Sequence, residues 1–133
     1  MPSCAKTLVA AALLAPLLAG CVGGEERHAA LDPEKVERGR DLFATCAACH
    51  DIRKRRNGVG PHLVGIVGRP AGQARGYAYS EAMAGQGDRD WTPDALRAFL
   101  LDPEAAVPGT NMAITGLPPA DADAVVTYLL SRE

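Results

Sequence analysis

The most informative motif of this chain is Cys46-Ala47-Ala48-Cys49-His50. It matches the pattern Cys-x-x-Cys-His, in which two cysteines attach a c-type haem covalently and the adjacent histidine binds the iron. On a helical turn the two sulfur atoms lie on one side, three positions apart, where they match the two vinyl groups of the porphyrin. These residues predict one covalent haem c on Cys46 and Cys49, with His50 as the proximal iron ligand.

Two other chemistries use closely spaced cysteines. A thioredoxin-like redox pair needs a preceding strand within alternating strands and helices, whereas the residues before Cys46 have a helical pattern. A structural zinc site needs four ligands, and no second Cys/His pair follows downstream. An export signal upstream favours the haem interpretation, because c-type haem is attached outside the cytoplasm.

The second axial ligand must come from another part of the mature chain. Met112 ends residues 107–112, where a Pro-Gly turn would carry an extended loop past the distal haem face, and we predict that Met112 binds the iron. Met83 lies in a capped helical turn, where methionine more often fills a core. His28 is expected to be solvated, and His62 could reach the haem only if its loop folded unusually.

The first twenty residues have the proportions of a secretory signal. An apolar run over residues 7–18 follows Lys6 and is too short to span a bilayer. Leu18-Ala19-Gly20-Cys21 resembles a bacterial lipobox, which implies cleavage before Cys21 and a lipid on its sulfur. We therefore expect a lipoprotein signal peptide over residues 1–20, a flexible tether over 21–31 and a cytochrome domain over 32–133.

The cysteines and the leader together predict a location. Cys4 leaves with the leader, Cys21 carries lipid, and Cys46 and Cys49 remain for haem, which suits an oxidising compartment. The predicted location is the periplasmic face of the bacterial cell envelope, with a lipid anchor in a membrane. A plain secreted protein and an uncleaved anchor are the alternatives, although bulky Leu18 does not suit an ordinary signal-peptidase site.

Charge is distributed unevenly along the chain, although the formal net charge is only −2. This net charge excludes a generally basic nucleic-acid binder. Residues 52–80 contain no acid and carry Arg53, Lys54, Arg55, Arg56, Arg69 and Arg75. Among residues 81–133, nine acidic residues outnumber three arginines. The arrangement is either a solvated face or a dipole that docks on acidic patches of other proteins.

Helix signals recur, and no segment between them alternates as a strand would. Asp32-Pro33-Glu34 and Thr92-Pro93-Asp94 each combine an N-cap, a first-turn proline and an early acid. A third helix is expected after Pro118-Pro119. Gly39 lies within the first helix, where it costs stability, so we expect it to permit a close helix contact.

From Asp32 onward the chain resembles class I cytochrome c, over about a hundred residues. The matching motifs, in order, are Gly39…Phe43…Cys46-x-x-Cys49-His50, Gly60-Pro61-His62-Leu63 with Gly65 and Gly68-Arg69, Gly76-Tyr77-Ala78-Tyr79-Ser80, Trp91, Pro108-Gly109-Thr110-Asn111-Met112 and Tyr128. The resemblance implies an all-α class I cytochrome c fold with three main helices, short helical turns and long loops around one covalent haem.

The resemblance also implies roles for individual residues. The carbonyl of Pro61 would accept a hydrogen bond from His50 and tune its basicity. Four residues would surround the haem propionates: Arg69, Tyr79, Trp91 and Thr110. Two positions depart from the family pattern. Asparagine is usual where His62 stands, which places a titrating group near the haem crevice, and lysines are usual where arginines predominate at positions 53–56.

The family implies a monomeric carrier of single electrons that is not an enzyme and has no small-molecule substrate. Its expected partners are respiratory or photosynthetic redox proteins with acidic docking patches, and not nucleic acid. Three alternatives remain: a subunit of a larger dehydrogenase or reductase, a haem sensor with an open sixth site, and a peroxidase-like enzyme. Peroxidases of this family generally carry two haems, whereas this chain has one attachment motif.

Overall fold

The computed structural model describes residues 31–133, and within them the chain forms five helices. These are α1 (Pro33–Cys46), α2 (Glu81–Ala84), α3 (Pro93–Leu101), α4 (Pro103–Ala106) and α5 (Pro119–Leu130). Over the same residues, the only strand-like pairing is an isolated bridge between Pro70 and Asp90. The predicted all-α fold, with three main helices and short helical turns, is confirmed. The predicted signal peptide and the lipidation site Cys21 lie outside the described residues.

Side-chain caps explain where the helices begin. The Asp32 carboxylate accepts a hydrogen bond from the Glu34 N–H at 3.0 Å, and proline follows it at the first helical position. Thr92 caps α3 in the same way. Asp102 ends α3 and caps α4 by accepting from the Ala105 N–H at 3.0 Å. Because the three caps come from local sequence, the helix starts were predictable.

Helices α1 and α5 cross at Gly39. A Cβ atom added there would lie 2.0 Å from the carbonyl oxygen of Ala124, so only glycine fits at the crossing. One turn later Phe43 contacts Tyr128, with 5.5 Å between ring centroids. The close contact expected at Gly39 is confirmed, and it fixes the direction in which α1 carries Cys46 toward the loops.

The buried residues form two clusters. The larger joins the three main helices and contains Phe43, Ile66, Leu96, Leu100, Ala122, Val125, Val126 and Leu129. The smaller contains Ala71, Met83, Phe99 and Val107. Trp91 and Met112 are half-buried and pack against both clusters. No helix within residues 31–133 has the length and hydropathy needed to cross a bilayer.

Candidate functional site

The end of α1 presents both cysteines to one cleft. After Cys46 the chain makes one more tight turn, in which the N–H groups of Cys49 and His50 each donate to the Cys46 carbonyl at 3.0 Å. Both thiols are half-buried, and both line the cleft together with His50. Burial is the main cause that raises the pKa of the Cys46 thiol, which keeps it protonated at neutral pH.

The imidazole of His50 is held from two sides. Its Nδ1 lies 2.7 Å from the carbonyl oxygen of Pro61, and since a carbonyl only accepts, Nδ1 is the donor and Nε2 is left with a free lone pair. A Cβ atom at Gly60 would lie 2.4 Å from Cε1 of the ring. The Gly60 N–H in turn donates to the Cys49 carbonyl at 2.9 Å. The loop is thus bonded back to the attachment turn.

Met112 reaches the same cleft from the loop between α4 and α5. The turn predicted there forms at Gly109, which has φ +86°, and its N–H donates to the Glu104 carboxylate at 3.0 Å. Thr110 then donates its N–H to the Val107 carbonyl and accepts from the Met112 N–H at 3.3 Å. These bonds position the thioether of Met112 beside a cleft that also holds His50.

The cleft has a volume of about 270 Å³, and its walls are mainly apolar. Besides the four residues above, it is lined by Thr45, Val59, Gly60, Pro61, Tyr77, Tyr79, Ser80, Met83, Phe99, Thr110, Asn111, Ala113 and Ile114. An apolar cleft with two thiols, one free imidazole nitrogen and one thioether fits the donor set of haem c. Over residues 31–133 no three His, Cys, Asp or Glu side chains converge on one point, so a closed zinc site has no support.

The structure separates the four residues predicted around the propionates into two pairs. Tyr79 and Thr110 line the cleft, whereas Arg69 and Trp91 are not among the residues that line it. Trp91 packs on Phe99 with ring centroids 5.2 Å apart, and its backbone N–H donates to the Arg69 carbonyl at 2.9 Å. The Nε atom of Arg69 is buried and has no hydrogen-bond partner among the described residues. A buried donor of this kind fits a carboxylate such as a propionate.

The tyrosine pair at the cleft was only partly anticipated. The sequence predicts no role for Tyr77, yet it lines the cleft and donates its hydroxyl to the Val59 carbonyl at 2.8 Å. Its ring meets that of Tyr79 edge-on, with centroids 4.8 Å apart. The Tyr79 hydroxyl accepts from the Ala74 N–H, and burial is the main cause that raises its pKa. The signal was the Tyr-x-Tyr spacing, which in an extended segment places both rings on one face.

The mouth of the cleft carries exposed apolar side chains that sequence reasoning missed. Val59 is 77% exposed and Ile114 is 39% exposed, and both line the cleft. The available signal was an apolar residue, Val59, isolated in a loop of glycines and charged residues. Exposed apolar atoms at a cofactor cleft mark a surface that other proteins can contact.

The other candidates for the second axial ligand lie differently. Met83 is only 6% exposed and belongs to the smaller core cluster, although its side chain also borders the cleft. His62 is equally buried but does not line the cleft. His28 lies outside the described residues. Of the histidines and methionines that the structure describes, His50, Met83 and Met112 border the cleft.

Residues 53–56, which we call the basic loop, are shaped by Asp51. One carboxylate oxygen of Asp51 accepts the N–H groups of Arg53 and Lys54, each at 2.9 Å, and the other pairs with Arg56 at 3.1 Å. The backbone bonds are the main cause that lowers the pKa of Asp51. The basic loop is exposed, and Arg53 and Arg56 line a shallow groove that shares Cys49 and His50 with the cleft, which places these positive charges near it.

Comparison with known proteins gives concordant results. The family model for cytochrome c matches residues 36–133. Cytochrome c2 iso-2 of Magnetospirillum fulvum is 42% identical over 90 residues, which cover 67% of this chain and 93% of that protein. The cytochrome c-type cyt cy of Rhodobacter capsulatus is 42% identical over 105 residues, or 74% of this chain, and the chain spans about half (52%) of that protein. The solved structure of cytochrome cH from Methylobacterium extorquens has a TM-score of 0.66 and 42% identity, covering 72% of this chain and 97% of that one.

Proposed function

This chain belongs to the cytochrome c family, and we propose that it acts as a single-electron carrier tethered to a membrane in the bacterial cell envelope. As a family member it is a monohaem electron-transfer protein with one covalently attached haem c, and its partners are redox proteins. The observation that carries the finer proposal is the apolar cleft, because it brings Cys46, Cys49, His50 and Met112 together.

In this proposal Cys46 and Cys49 would hold the haem, and His50 Nε2 and the Met112 thioether would bind its iron. The iron of the bound haem supplies a one-electron redox couple. With its iron bound by both residues, the haem would offer no position for a substrate, so we do not assign an enzymatic activity. A thioether ligand in an apolar cleft favours the reduced state and raises the reduction potential.

Replacing Met112 tests the axial assignment. We expect Met112→Ala to free one axial position, so that the reduced protein binds carbon monoxide rapidly at neutral pH and has a lower reduction potential than wild type. The control is Met83→Leu, a swap of similar volume in the same cleft, which should cost less than about 1.5 kcal/mol of stability and leave the spectrum unchanged. Rapid carbon monoxide binding by the wild-type protein would instead indicate a sensor with an open site.

The basic loop supports docking on redox partners that carry acidic patches. Arg53, Lys54 and Arg55 form no ion pair with another described residue, so their charges are available to an approaching partner. Charges of one sign beside a cofactor cleft raise the rate of encounter with the opposite charge. The exposed Val59 lies three residues after the basic loop and would then form the apolar part of the contact. We propose that the carrier docks as a monomer.

The tether is proposed from the lipobox-like residues that end at Cys21. A diacylglycerol on its sulfur and an acyl group on the new amino terminus would together anchor the chain stably, whereas a single acyl chain would not. The proposed tether over residues 21–31 would span about 18 Å on average, which would keep the cytochrome domain close to the membrane. The domain would face the periplasm, where c-type haem is attached.

Substitution of Cys21 tests the anchor separately from the haem. We expect Cys21→Ser to release the haem-loaded protein from washed membranes into the soluble fraction, while its absorption spectrum is unchanged. The matched control is Cys4→Ser, which alters a cysteine expected to be removed with the signal peptide and should leave the protein on the membrane. If Cys21→Ser stays with the membrane fraction, the lipid anchor is wrong.

A further inference from the structure

His62 is a buried polar side chain that the proposed carrier function does not use. It is 6% exposed, follows Pro61 in the chain and does not border the cleft. Its backbone N–H donates to the side-chain oxygen of Asn57 at 3.1 Å, which fixes the loop on that side. Burying an imidazole without function would cost stability, so its contacts require an explanation.

The contacts of His62 are dominated by Arg69. One guanidinium nitrogen of Arg69 lies 3.4 Å from His62 Nδ1, and another donates to the His62 carbonyl at 3.0 Å. Arginine has no acceptor, so His62 Nδ1 must accept this bond and the imidazole is neutral, with its proton on Nε2. A proton that binds at Nδ1 must therefore displace the guanidinium of Arg69.

The surrounding charges set the balance at this site. Burial is the main cause that lowers the pKa of His62, and the positive charges of Arg69 and Arg55 lower it further. Asp51 acts in the opposite direction. On the far side, Tyr79 and Glu133 act on Arg69 rather than on His62. The imidazole is therefore held neutral at pH 7. Its pKa depends on the charges of the groups around it.

Arg69 connects this site to the haem. Its Nε is a buried donor with no partner among the described residues, on the same guanidinium whose Nη1 contacts His62. A haem propionate would satisfy this donor, so the charge state of the haem and that of His62 would act on one guanidinium. The inference rests on the bound haem, and it does not depend on the tether or on the docking surface.

We propose that His62 and Arg69 form a proton-binding site that is linked to the redox state of the protein. When the protein accepts an electron from its donor, one positive charge is lost at the haem, and His62 Nδ1 binds a proton from solvent more tightly. When the electron leaves, the proton returns to solvent. Because linkage is reciprocal, protonation of His62 also stabilises the reduced state and raises the reduction potential.

The direction of the pH dependence follows from these signs. Above the lowered pKa of His62 the imidazole is neutral in both redox states, so the site contributes no pH dependence to the potential. As pH falls through the His62 midpoints, the reduced protein binds the proton first, so the potential rises, and it levels off once the imidazole is protonated in both redox states. The change is centred on the acid side of the ordinary pKa of histidine, which is about 6.5.

The test compares reduction potentials of the haem-loaded protein over about pH 4.5 to 8, a range that spans the titration of a histidine with a lowered pKa. We expect the potential of wild type to rise toward acid pH and His62→Asn to lose most of that rise. Asparagine offers an acceptor oxygen to Arg69, so the substitution removes the proton site without leaving the guanidinium unpaired. The control is His28→Asn, in the tether, which should behave as wild type.

A second measurement needs no variant. The imidazole protons of His62 can be followed by NMR titration of the wild-type protein in both redox states, and we expect the His62 midpoint to lie at higher pH in the reduced protein. Equal midpoints in the two states would overturn the proposal, as would an unchanged pH dependence in His62→Asn. In either case the carbon monoxide and membrane-release tests would still stand, so failure here is distinct from failure of the carrier function.

Discussion

At the scale of single residues, the position of His50 depends on two neighbours in one loop. The Pro61 carbonyl fixes the tautomer by accepting from Nδ1, and Gly60 leaves room for the ring to lie against the backbone. Both contributions come from the backbone: one is the Pro61 carbonyl group, and the other is the space left where Gly60 has no Cβ atom. A hydrogen bond of this type orients a metal-binding histidine and raises its basicity, so the loop sequence matters as much as the ligand itself.

Gly60→Ala is expected to destabilise the haem-loaded protein. The new Cβ would lie 2.4 Å from His50 Cε1, so either the ring or the loop must move, and the bond from Nδ1 to Pro61 weakens. Overpacking of this kind costs about 1–3 kcal/mol of unfolding free energy. The measurement is urea unfolding followed by haem absorbance.

Gly85→Ala is the matched control for that prediction. Gly85 caps α2 with φ −70°, a conformation that alanine adopts without strain, and it does not line the cleft. We expect its effect to stay within about 0.5 kcal/mol. If both variants unfold at the same urea concentration as wild type, the close packing of Gly60 on His50 is incorrect.

At the scale of elements, Asp123 on α5 ties together the three main helices. Its carboxylate pairs with Lys35 of α1 at 2.7 Å and with Arg97 of α3 at 2.8 Å. The bonds from Lys35 and Arg97 are the main causes that lower the pKa of Asp123. Since the two basic side chains are substantially exposed, each pair contributes modestly, but together they connect α5 to both of the other main helices.

Asp123→Asn is expected to lower the unfolding free energy by about 1 kcal/mol at neutral pH. A carboxyl group with a lowered pKa in the folded state stabilises the fold above its unfolded pKa, and this contribution disappears as pH falls through the folded value. The stability difference between wild type and variant should therefore be constant above about pH 5 and shrink below it. Denaturant unfolding at a series of pH values measures this.

The control for this prediction is Asp94→Asn. Asp94 pairs with Arg97 only within α3, and its side chain is 92% exposed, so its loss should change stability by less than about 0.5 kcal/mol. If the two variants were equally destabilised, the bridging of helices by Asp123 would have no particular importance.

The elements also show how far local sequence predicts this fold. Asp32, Thr92 and Asp102 mark helix ends because their caps bond to residues two or three positions away, which is information that a single sequence contains. Arg69 and Trp91 could not be placed in this way. Their pairing joins two loops that are distant in sequence, so their position relative to the cleft depends on tertiary packing. His62 illustrates the same limit, since its contact with Arg69 is set by the loop fold and not by spacing.

At the scale of the whole molecule, the uneven charge along the sequence becomes an uneven surface. The basic loop is exposed beside the cleft, whereas the acids on α5 that pair with Lys35, Arg38 and Arg97 are partly neutralised within the helical layer. A positive potential at the cleft would attract negatively charged partners over roughly one Debye length, which is about 10 Å at 0.1 M salt. The net charge of −2 therefore does not indicate that the surface near the cleft, where electrons would be exchanged, carries positive charge.

Charge reversal in the basic loop tests this potential with small redox probes. Arg53 is exposed, forms no ion pair with another described residue and borders a shallow groove shared with Cys49 and His50. We expect Arg53→Glu to slow oxidation of the reduced protein by anionic ferricyanide about two- to fivefold at low ionic strength. Oxidation by the cationic tris(phenanthroline)cobalt(III) ion should become faster.

Arg132→Glu makes the same charge change at an exposed position just after α5, and it separates a local effect from one of net charge. We expect it to change both rates much less than Arg53→Glu does. Salt should abolish the effect of Arg53→Glu, because the Debye length falls to about 3 Å at 1 M. A charge close to the cleft should affect the probes more than a remote one. Equal rate changes in the two variants would therefore mean that only net charge steers the probes. The basic loop would then have no special part in docking.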